Sequence, residues 1–322
     1  MSSGPEILLA SPRGFCAGVS YAIEIVDLVL DRYGPPVYVR HEIVHNRHVV
    51  ARLHARGARF VDDMKEVPAE SILIFSAHGV SPAVREEARE RRLRVIDATC
   101  PLVIKVHVEV LRYAREGYEI LLVGHRGHVE VEGTLGHAPD RTHLIESVAD
   151  VAGVRARDSD RVAVVTQTTL SVDDTRGIID AIRERFPNVR APRKDDICYA
   201  TQNRQTAVKE LARQSELVLV LGSATSSNAN RLVEVASGEG AVAKLIDDVR
   251  GIDPAWLREV RVVGLTAGAS TPESLVAEVV ERLQQLGCGA VRHVVTAEEN
   301  IAFPLPRELR QRPVGSALPS AG

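Results

Sequence analysis

No stretch of this sequence approaches the ~20 consecutive apolar residues that span a bilayer. Its first ten residues hold neither a basic segment nor an apolar core long enough to direct secretion. No membrane partner is expected, and a cytoplasmic location is. Blocks of like charge are also missing: 40 basic and 43 acidic side chains, net −3, are interspersed, so no electropositive face for nucleic acid is predicted. There is no Gly-x-x-x-x-Gly-Lys-Ser/Thr loop and no Gly-x-Gly-x-x-Gly after a strand, which leaves nucleotide cofactors no recognisable seat. Cysteine is scarce, with four residues and no Cys-x-x-Cys pair. The missing pairs make structural zinc the lesser reading. In a reducing compartment the four thiols speak for metal binding, redox chemistry or burial rather than disulfides.

With 322 residues, 45% of them hydrophobic and 26% charged, the chain exceeds the size at which one core stops growing, and two or three packed units are expected. Short aliphatic runs alternate with stretches of helical period: Ile7-Leu8-Leu9 precedes residues 21–30, and 72–75 precedes 82–91. The alternation continues through strands at 118–123, 161–165, 217–221 and 261–265, each ending in small or polar residues ahead of a helix. This βαβ pattern predicts an α/β fold of parallel sheets covered by helices. Three cysteines stand at helix mouths, in Phe15-Cys16-Ala17-Gly18, Thr99-Cys100-Pro101 and Ile197-Cys198-Tyr199, each separated by the length of a small α/β unit. Three similar lobes meeting at a common centre are predicted, spanning 14–100, 101–197 and 198–290, the last joined by an N-terminal strand at 5–13. A C-terminal segment follows at 291–306, and the tail 307–322, rich in turn formers and without period, is expected to be disordered.

Taken singly, each cysteine is as well explained by burial as by ligation, because free cysteine is among the most buried residue types. The shared setting favours ligation, since helix N-terminal amides and the positive end of the dipole stabilise a thiolate or a sulfide-rich anion. Iron–sulfur clusters usually take four cysteine ligands, so Cys16, Cys100 and Cys198 would leave one iron open to a substrate oxygen. Cys288, beyond the last amphipathic stretch, is read as a bystander.

Polar segments end the predicted strands at 42–46, 76–79, 127–134, 166–169, 223–228 and 266–270, where open α/β sheets bind ligands. Ser226, Ser227, Asn228, Ser270 and Thr271 can bind phosphate oxygens through hydroxyls and helix N-terminal amides, or can merely cap helices. An anion would be held by neutral donors, and His45, His78 and His128 could donate to a diphosphate. His41, His48, His54, His107 and His143 fall within or beside regular elements and are expected at the surface; His125 and His137 stay undecided. Glu130 and Glu132 follow His128 on a stretch read as extended, so both would face one side. Glu130 is the candidate proton donor, since a dry pocket raises a carboxyl pKa; a solvated or salt-bridged glutamate is the alternative.

The motifs Arg13-Gly14-Phe15-Cys16-Ala17-Gly18-Val19, Asp97-Ala98-Thr99-Cys100-Pro101, Glu130-Val131-Glu132-Gly133-Thr134 and Thr266-Ala267-Gly268-Ala269-Ser270 together resemble the 4-hydroxy-3-methylbut-2-enyl diphosphate reductase family. That family closes the methylerythritol phosphate route to isoprenoids, and the likeness runs from Ile7 to about Glu308. The resemblance implies a three-lobed, trefoil-like α/β fold around one central [4Fe-4S] cluster held by Cys16, Cys100 and Cys198. It implies diphosphate contacts at His45, His78, His128, Ser226, Ser227, Asn228 and Ser270, with Thr168 near the substrate hydroxyl and Glu130 in the proton path. The implied reaction is reductive dehydroxylation of the (E)-allylic alcohol diphosphate to isopentenyl and dimethylallyl diphosphate. Two electrons would come from an external ferredoxin or flavodoxin, because no flavin or nicotinamide seat is evident. Cys288 corresponds to no family ligand. Val129 departs from the family pattern, in which proline often stands between the histidine and the acid; without it φ is freer and the Glu130 backbone looser. A cluster-dependent hydratase that needs no reductant and a redox-sensing protein that forms no product are the other readings of the same residues. Replacing Cys100 with serine is expected to abolish the broad visible absorbance of anaerobically prepared protein, and an unchanged spectrum would sink the cluster assignment.

Overall fold

The computed structural model describes residues 4–192 and 196–310. In chain order the first elements are β1 (Glu6–Ser11), α1 (Ala17–Tyr33), β2 (Val37–Arg40), α2 (Arg47–Ala55), β3 (Ala58–Val61), β4 (Ile72–Phe75), α3 (Pro82–Glu90) and β5 (Arg94–Asp97). There follow α4 (Pro101–Arg115), β6 (Glu119–Val123), α5 (Val129–Leu135), β7 (Thr142–Ile145), α6 (Val148–Gly153), β8 (Val162–Thr166) and α7 (Val172–Arg185). The chain ends with α8 (Tyr199–Ala212), β9 (Leu217–Leu221), α9 (Ser227–Gly238), β10 (Val242–Ile246), β11 (Val262–Ala267), α10 (Glu273–Gln285), β12 (Val291–Val295) and α11 (Arg307–Arg310). Every strand pairing is parallel, in three sheets ordered β10-β9-β11-β1-β12, β3-β2-β4-β5 and β7-β6-β8. The α/β fold is as predicted, but the sheets are unequal, with five, four and three strands.

Alternation along each strand divides the apolar side chains between the two faces of a sheet. In the five-stranded sheet Ile7, Leu9, Leu219 and Leu265 pack with α10, while Leu8, Val218 and Val220 pack with α8 and α9. In the four-stranded sheet Val39, Ile74 and Ile96 meet α1 and α2, and Leu73 and Phe75 meet α3. In the three-stranded sheet Leu121 and Val164 meet α6 and α7, and Leu122 and Val165 meet α4 and α5. Both faces being covered, β6, β8 and β9 are buried at every position, which is why they read as unbroken apolar runs.

Each of the three candidate ligands marks a change of sheet. Cys16 follows β1 and opens α1, whose Ile25, Val26 and Val29 are fully buried against the four-stranded sheet; each such burial contributes roughly 1.5–3 kcal/mol. Cys100 follows β5 and opens α4, which lies on the three-stranded sheet. Cys198 follows α7 and opens α8, which returns to the five-stranded sheet. A helix that starts where the chain leaves one sheet unit and packs on the next carries its N-terminus to the junction between them.

Two expectations change. His107, expected at the surface, is buried on α4 and stacks on His137 at a centroid distance of 4.1 Å, because it falls on the apolar stripe with Val103, Val106 and Val110. The tail expected to be disordered from residue 307 begins with α11, where Leu309 is buried beside α1 and its carbonyl accepts from Arg32 Nη2 at 3.0 Å; residues 311–322 lie outside the described residues. Among the described residues no helix is long and apolar enough to cross a membrane.

The seam between the four- and three-stranded units is closed by glycines. A Cβ at Gly133 would come within 3.2 Å of the Gly79 carbonyl, and one at Gly136 would meet Ser81 Cβ at 2.3 Å. Gly136 has φ −63°, so only this contact opposes a side chain there. Gly136→Ala is expected to lower stability by about 1–3 kcal/mol, and a second change, Ser81→Gly, to restore most of it. Denaturant midpoints of the two variants measure this, and an undiminished midpoint in the single variant would show the seam to be slack.

Candidate active site

The three cysteines occupy equivalent positions, each the N-cap of a long helix. Backbone bonds fix all three: Cys16 N donates to Ala269 O at 3.2 Å, Cys100 N to Ala77 O at 3.0 Å and Cys198 N to Thr168 O at 3.1 Å. Each cysteine is thus anchored to a loop that itself lines the site. Cys198 Sγ accepts from Thr201 N at 3.4 Å and lies 3.2 Å from its hydroxyl. A Cβ on Gly18 would lie 2.5 Å from Cys100 Sγ and 3.9 Å from Cys16 Sγ, so glycine keeps the space between those two sulfurs open. Burial pushes the Cys100 thiol up to about 12 and the Cys198 thiol up to about 11, and the neighbouring Cys16 adds to both.

All three thiols line one cavity of about 110 Å³, together with His45, His78, His128, Glu130, Thr168, Ser226, Ser227, Asn228 and Ser270. All the residues to which the family resemblance gives a role therefore reach the same pocket, whereas Thr271 does not line it. Among the described residues no lysine or arginine lines it.

The histidines form a cluster, with His45 4.2 Å from His78 and 5.6 Å from His128 between ring centroids. His128 Nδ1 accepts from Glu130 N at 3.2 Å, so the neutral ring carries its proton on Nε2, where it is a donor. His45 Nδ1 lies 3.1 Å from Glu42 and His78 Nδ1 lies 3.2 Å from Ser76 Oγ. Burial, with the other histidines adding, holds His78 well below the ordinary imidazole range and lowers His128 to about 4. These rings are neutral near pH 7 until an anion joins them.

On the far side of the site α9 begins at Ser226, whose Oγ accepts from Ala229 N at 3.3 Å and keeps its hydroxyl proton for another partner. Gln167 Nε2 donates to Thr169 Oγ1 at 3.0 Å, which in turn is 3.1 Å from Ser227 Oγ. Asn228 Oδ1 accepts from Ala269 N at 2.8 Å, while its buried Nδ2 has no partner among the described residues. A buried donor left unmet costs about 1–3 kcal/mol, and an anionic oxygen in the pocket would satisfy it. Ser270 spends its hydroxyl proton on His45 O at 2.9 Å, tying the His45 loop to β11's end.

Glu130 is buried, with Oε1 accepting from Thr168 N at 2.7 Å and Oε2 from Thr168 Oγ1 at 2.9 Å. Burial raises its carboxyl to about 7, outweighing the two Thr168 bonds that lower it. The acid therefore keeps its proton much closer to neutrality than an ordinary carboxyl, and the Thr168 hydroxyl lies beside it in the cavity lining.

Three details depart from the sequence reading. Residues 129–135 are helical, not extended, so Glu130 is buried and Glu132 exposed rather than both facing one way. The cause is the His128 cap, which starts a helix in which residues two apart lie about 200° around the axis. Val129 is the first helical residue, the position where proline is also at home, so His128 supplies the constraint that proline would give. Thr271 is fully buried and donates to Leu221 O at 3.0 Å, away from the pocket lining. Thr169 and Thr201 line the pocket and were not singled out beforehand; the spacing Cys198-x-x-Thr201, an N-cap and its third residue, was the available signal.

Fold and site together define a three-sheet α/β protein with three helix-capping thiols facing neutral anion donors. A sequence model of the family described as LytB protein matches residues 7–284, and the chain belongs to that family. It is 58% identical over 306 residues to a protein of Azoarcus sp. (strain BH72) named 4-hydroxy-3-methylbut-2-enyl diphosphate reductase, covering 95% of this chain and 98% of that one. A protein of the same name from Chromohalobacter salexigens is 57% identical over 97% of this chain and 99% of its own. The solved E-1-hydroxy-2-methyl-but-2-enyl-4-diphosphate reductase from Plasmodium falciparum superposes with TM-score 0.92 at 41% identity, covering 96% of this chain and 97% of that chain. A second solved structure, titled (E)-4-hydroxy-3-methyl-but-2-enyl diphosphate reductase, gives 0.64 at 33% identity over 87% of this chain and 99% of its own.

The raised Glu130 carboxyl makes stability depend on pH. The folded state holds the proton up to about 7 against the ordinary 4.5. The resulting stabilisation is full below pH 4.5 and is lost as pH rises through about 7, a change of roughly 3 kcal/mol. In the metal-free protein, Glu130→Gln is expected to remove that fall. Urea midpoints compared with the parent across this range would show a constant difference if Glu130 titrates normally.

Proposed function

We propose that this chain carries out the reductive dehydroxylation of (E)-4-hydroxy-3-methylbut-2-enyl diphosphate to isopentenyl and dimethylallyl diphosphate. Family membership and 57–58% identity to proteins named for that reduction support the reaction. The observation that carries the residue assignment is the single pocket shared by three helix-capping thiols, a buried acid and a set of neutral donors, with no lysine or arginine among the described residues of its lining.

Cys16, Cys100 and Cys198 fit one [4Fe-4S] cluster: their thiols face a common cavity, Gly18 holds room between two of them, and three helix N-termini offer positive potential to a sulfide-rich anion. Bound there, with three cysteine ligands and one iron left open, the cluster would relay the external donor's two electrons one at a time and would supply a Lewis-acid position. The high thiol pKa values mean that loading releases protons.

The chain's own residues do the rest. His128 Nε2–H, the hydroxyls of Ser226 and Ser227, and Asn228 Nδ2 bind the diphosphate, with the amide end of α9 adding favourable potential. His45 and His78 complete that shell, and an anion beside His78 would oppose the burial that keeps its ring neutral. Ser270 holds the His45 loop. Protonated Glu130 donates through Oε2 to Thr168 Oγ1, and the Thr168 hydroxyl passes its own proton to the departing oxygen. That proton leaves in water. The second ends on carbon, at one or other end of the allyl unit, which sets the two products. The electrons come from an external ferredoxin or flavodoxin.

The test combines anaerobic protein, a chemical reductant and the allylic diphosphate, with product analysis. Reductant-dependent formation of both isoprenoid diphosphates is expected; turnover that persists without reductant would mark a hydratase instead. Glu130→Gln is expected to bind the diphosphate with little change while turnover falls about 10²–10⁴-fold, and near-normal turnover would remove Glu130 from the proton path.

A further inference from the structure

The largest fully buried side chain among the described residues is a cation, Arg204, and it lies outside the pocket lining. It stands on α8, the helix that Cys198 opens. Its Nε and Nη2 donate to Gly14 O at 3.1 and 2.7 Å, and Nη2 reaches Phe15 O at 3.4 Å. Nη1 donates to Ala200 O at 2.9 Å and to the two carboxylate oxygens of Glu299 at 3.0 and 3.2 Å. Glu299, from the segment after β12, also accepts from Asn203 Nδ2 at 3.0 Å, and its side chain is 13% exposed.

A guanidinium taken wholly out of water costs several kcal/mol unless its donors are met. Here they are met by the two carbonyls immediately before Cys16, by the first turn of the Cys198 helix and by one carboxylate. The 14–16 turn is held from its other side as well: Gly14 N donates to Ala267 O at 3.1 Å and Cys16 N to Ala269 O at 3.2 Å. Gly14 has φ +64°, a conformation that favours glycine and that turns its carbonyl to the guanidinium. The planar fork of arginine matches two adjacent carbonyls in a way that the single ammonium of lysine does not.

We propose that Arg204, locked by Glu299, is a positioning residue for the cofactor thiols. It fixes the Gly14–Cys16 turn against the first turn of α8, sets Cys16 relative to Cys198, and places a compensated charge next to the group those thiols hold. The electrostatic part rests on the cluster assignment above; the geometric part does not.

Two variants of the full-length protein separate charge from geometry. Arg204→Lys keeps the charge and loses the fork. In the metal-free protein, a thiol reagent followed by peptide mapping is expected to label Cys16 and Cys198 several-fold faster than in the parent, with Cys288, buried in the core beside α10, as the internal reference. After anaerobic loading with iron and sulfide, the same variant should lose the cluster to a chelator with about 10–100-fold weaker retention. Glu299→Gln keeps one acceptor oxygen for Arg204 Nη1 and Asn203 Nδ2, loses the second Arg204 contact and leaves the cation uncompensated, so the cluster's reduction potential should move positive. A Cys288 rate that rises in step with the other two would mean general loosening and overturn the proposal. So would unchanged labelling in Arg204→Lys or an unchanged potential in Glu299→Gln. Should Arg204→Lys not fold, Glu299→Gln decides by its potential and its Cys16 labelling. A parent protein that binds no cluster refutes the function proposed above, while the labelling comparison still decides the positioning role.

Discussion

Three long helices begin at one point, and each begins with a thiol. Bringing the positive ends of α1, α4 and α8 together, with the start of α9 beside them, creates potential that has to be balanced by negative charge. That constraint explains the rest of the site. A lysine or arginine in the lining would add to the charge already present, and none is there among the described residues. His78 and His128 are kept neutral by burial and by the neighbouring rings, so they offer hydrogen bonds without a standing charge. Glu130, the one carboxylate of the lining among the described residues, is buried enough to hold its proton up to about 7, which makes it a proton store rather than an anion competing with a ligand.

The convergence depends on close approach of backbones. Glycine stands wherever two units touch: Gly18 between two sulfurs, Gly79 against His107 and Thr99, Gly133 and Gly136 along the seam to the loop that carries His78. The buried His107–His137 stack sits at that same seam, beneath the residue that follows His78 and beyond the end of the helix that carries Glu130. Acid and anion-binding histidine are thereby built on elements that meet at a tight joint, as a pre-organised site requires.

Much of the fold was readable because β6, β8, β9 and β11 are buried over nearly their whole length, and burial on both faces leaves an uninterrupted apolar run. The strands that escaped notice, such as β3, β5, β7 and β10, are short edge strands with mixed burial, whose sequences differ little from loops. The segment 129–132 was misleading for a definite reason: Val-Glu-Val-Glu alternates as a strand does, and only the histidine cap ahead of it reveals the helix. The cysteines were legible because their local setting repeats. Arg204 and Glu299 were not, since they lie 95 residues apart and their link exists only once α8 has packed on β1.

The strand that leads to Cys16, β1, is the first element to be synthesised, yet it finds its place only between β11 and β12. A nascent chain would carry β1 unpaired through nearly its whole synthesis, and α8 would lack the strand on which it rests. The four- and three-stranded units contain their own strands in sequence and can form as they emerge. The five-stranded unit closes last, through contacts between the two ends of the chain, and such long-range closure is slow. Two of the three thiols therefore come into register at the end of folding, which makes cofactor assembly a late event that follows chain completion.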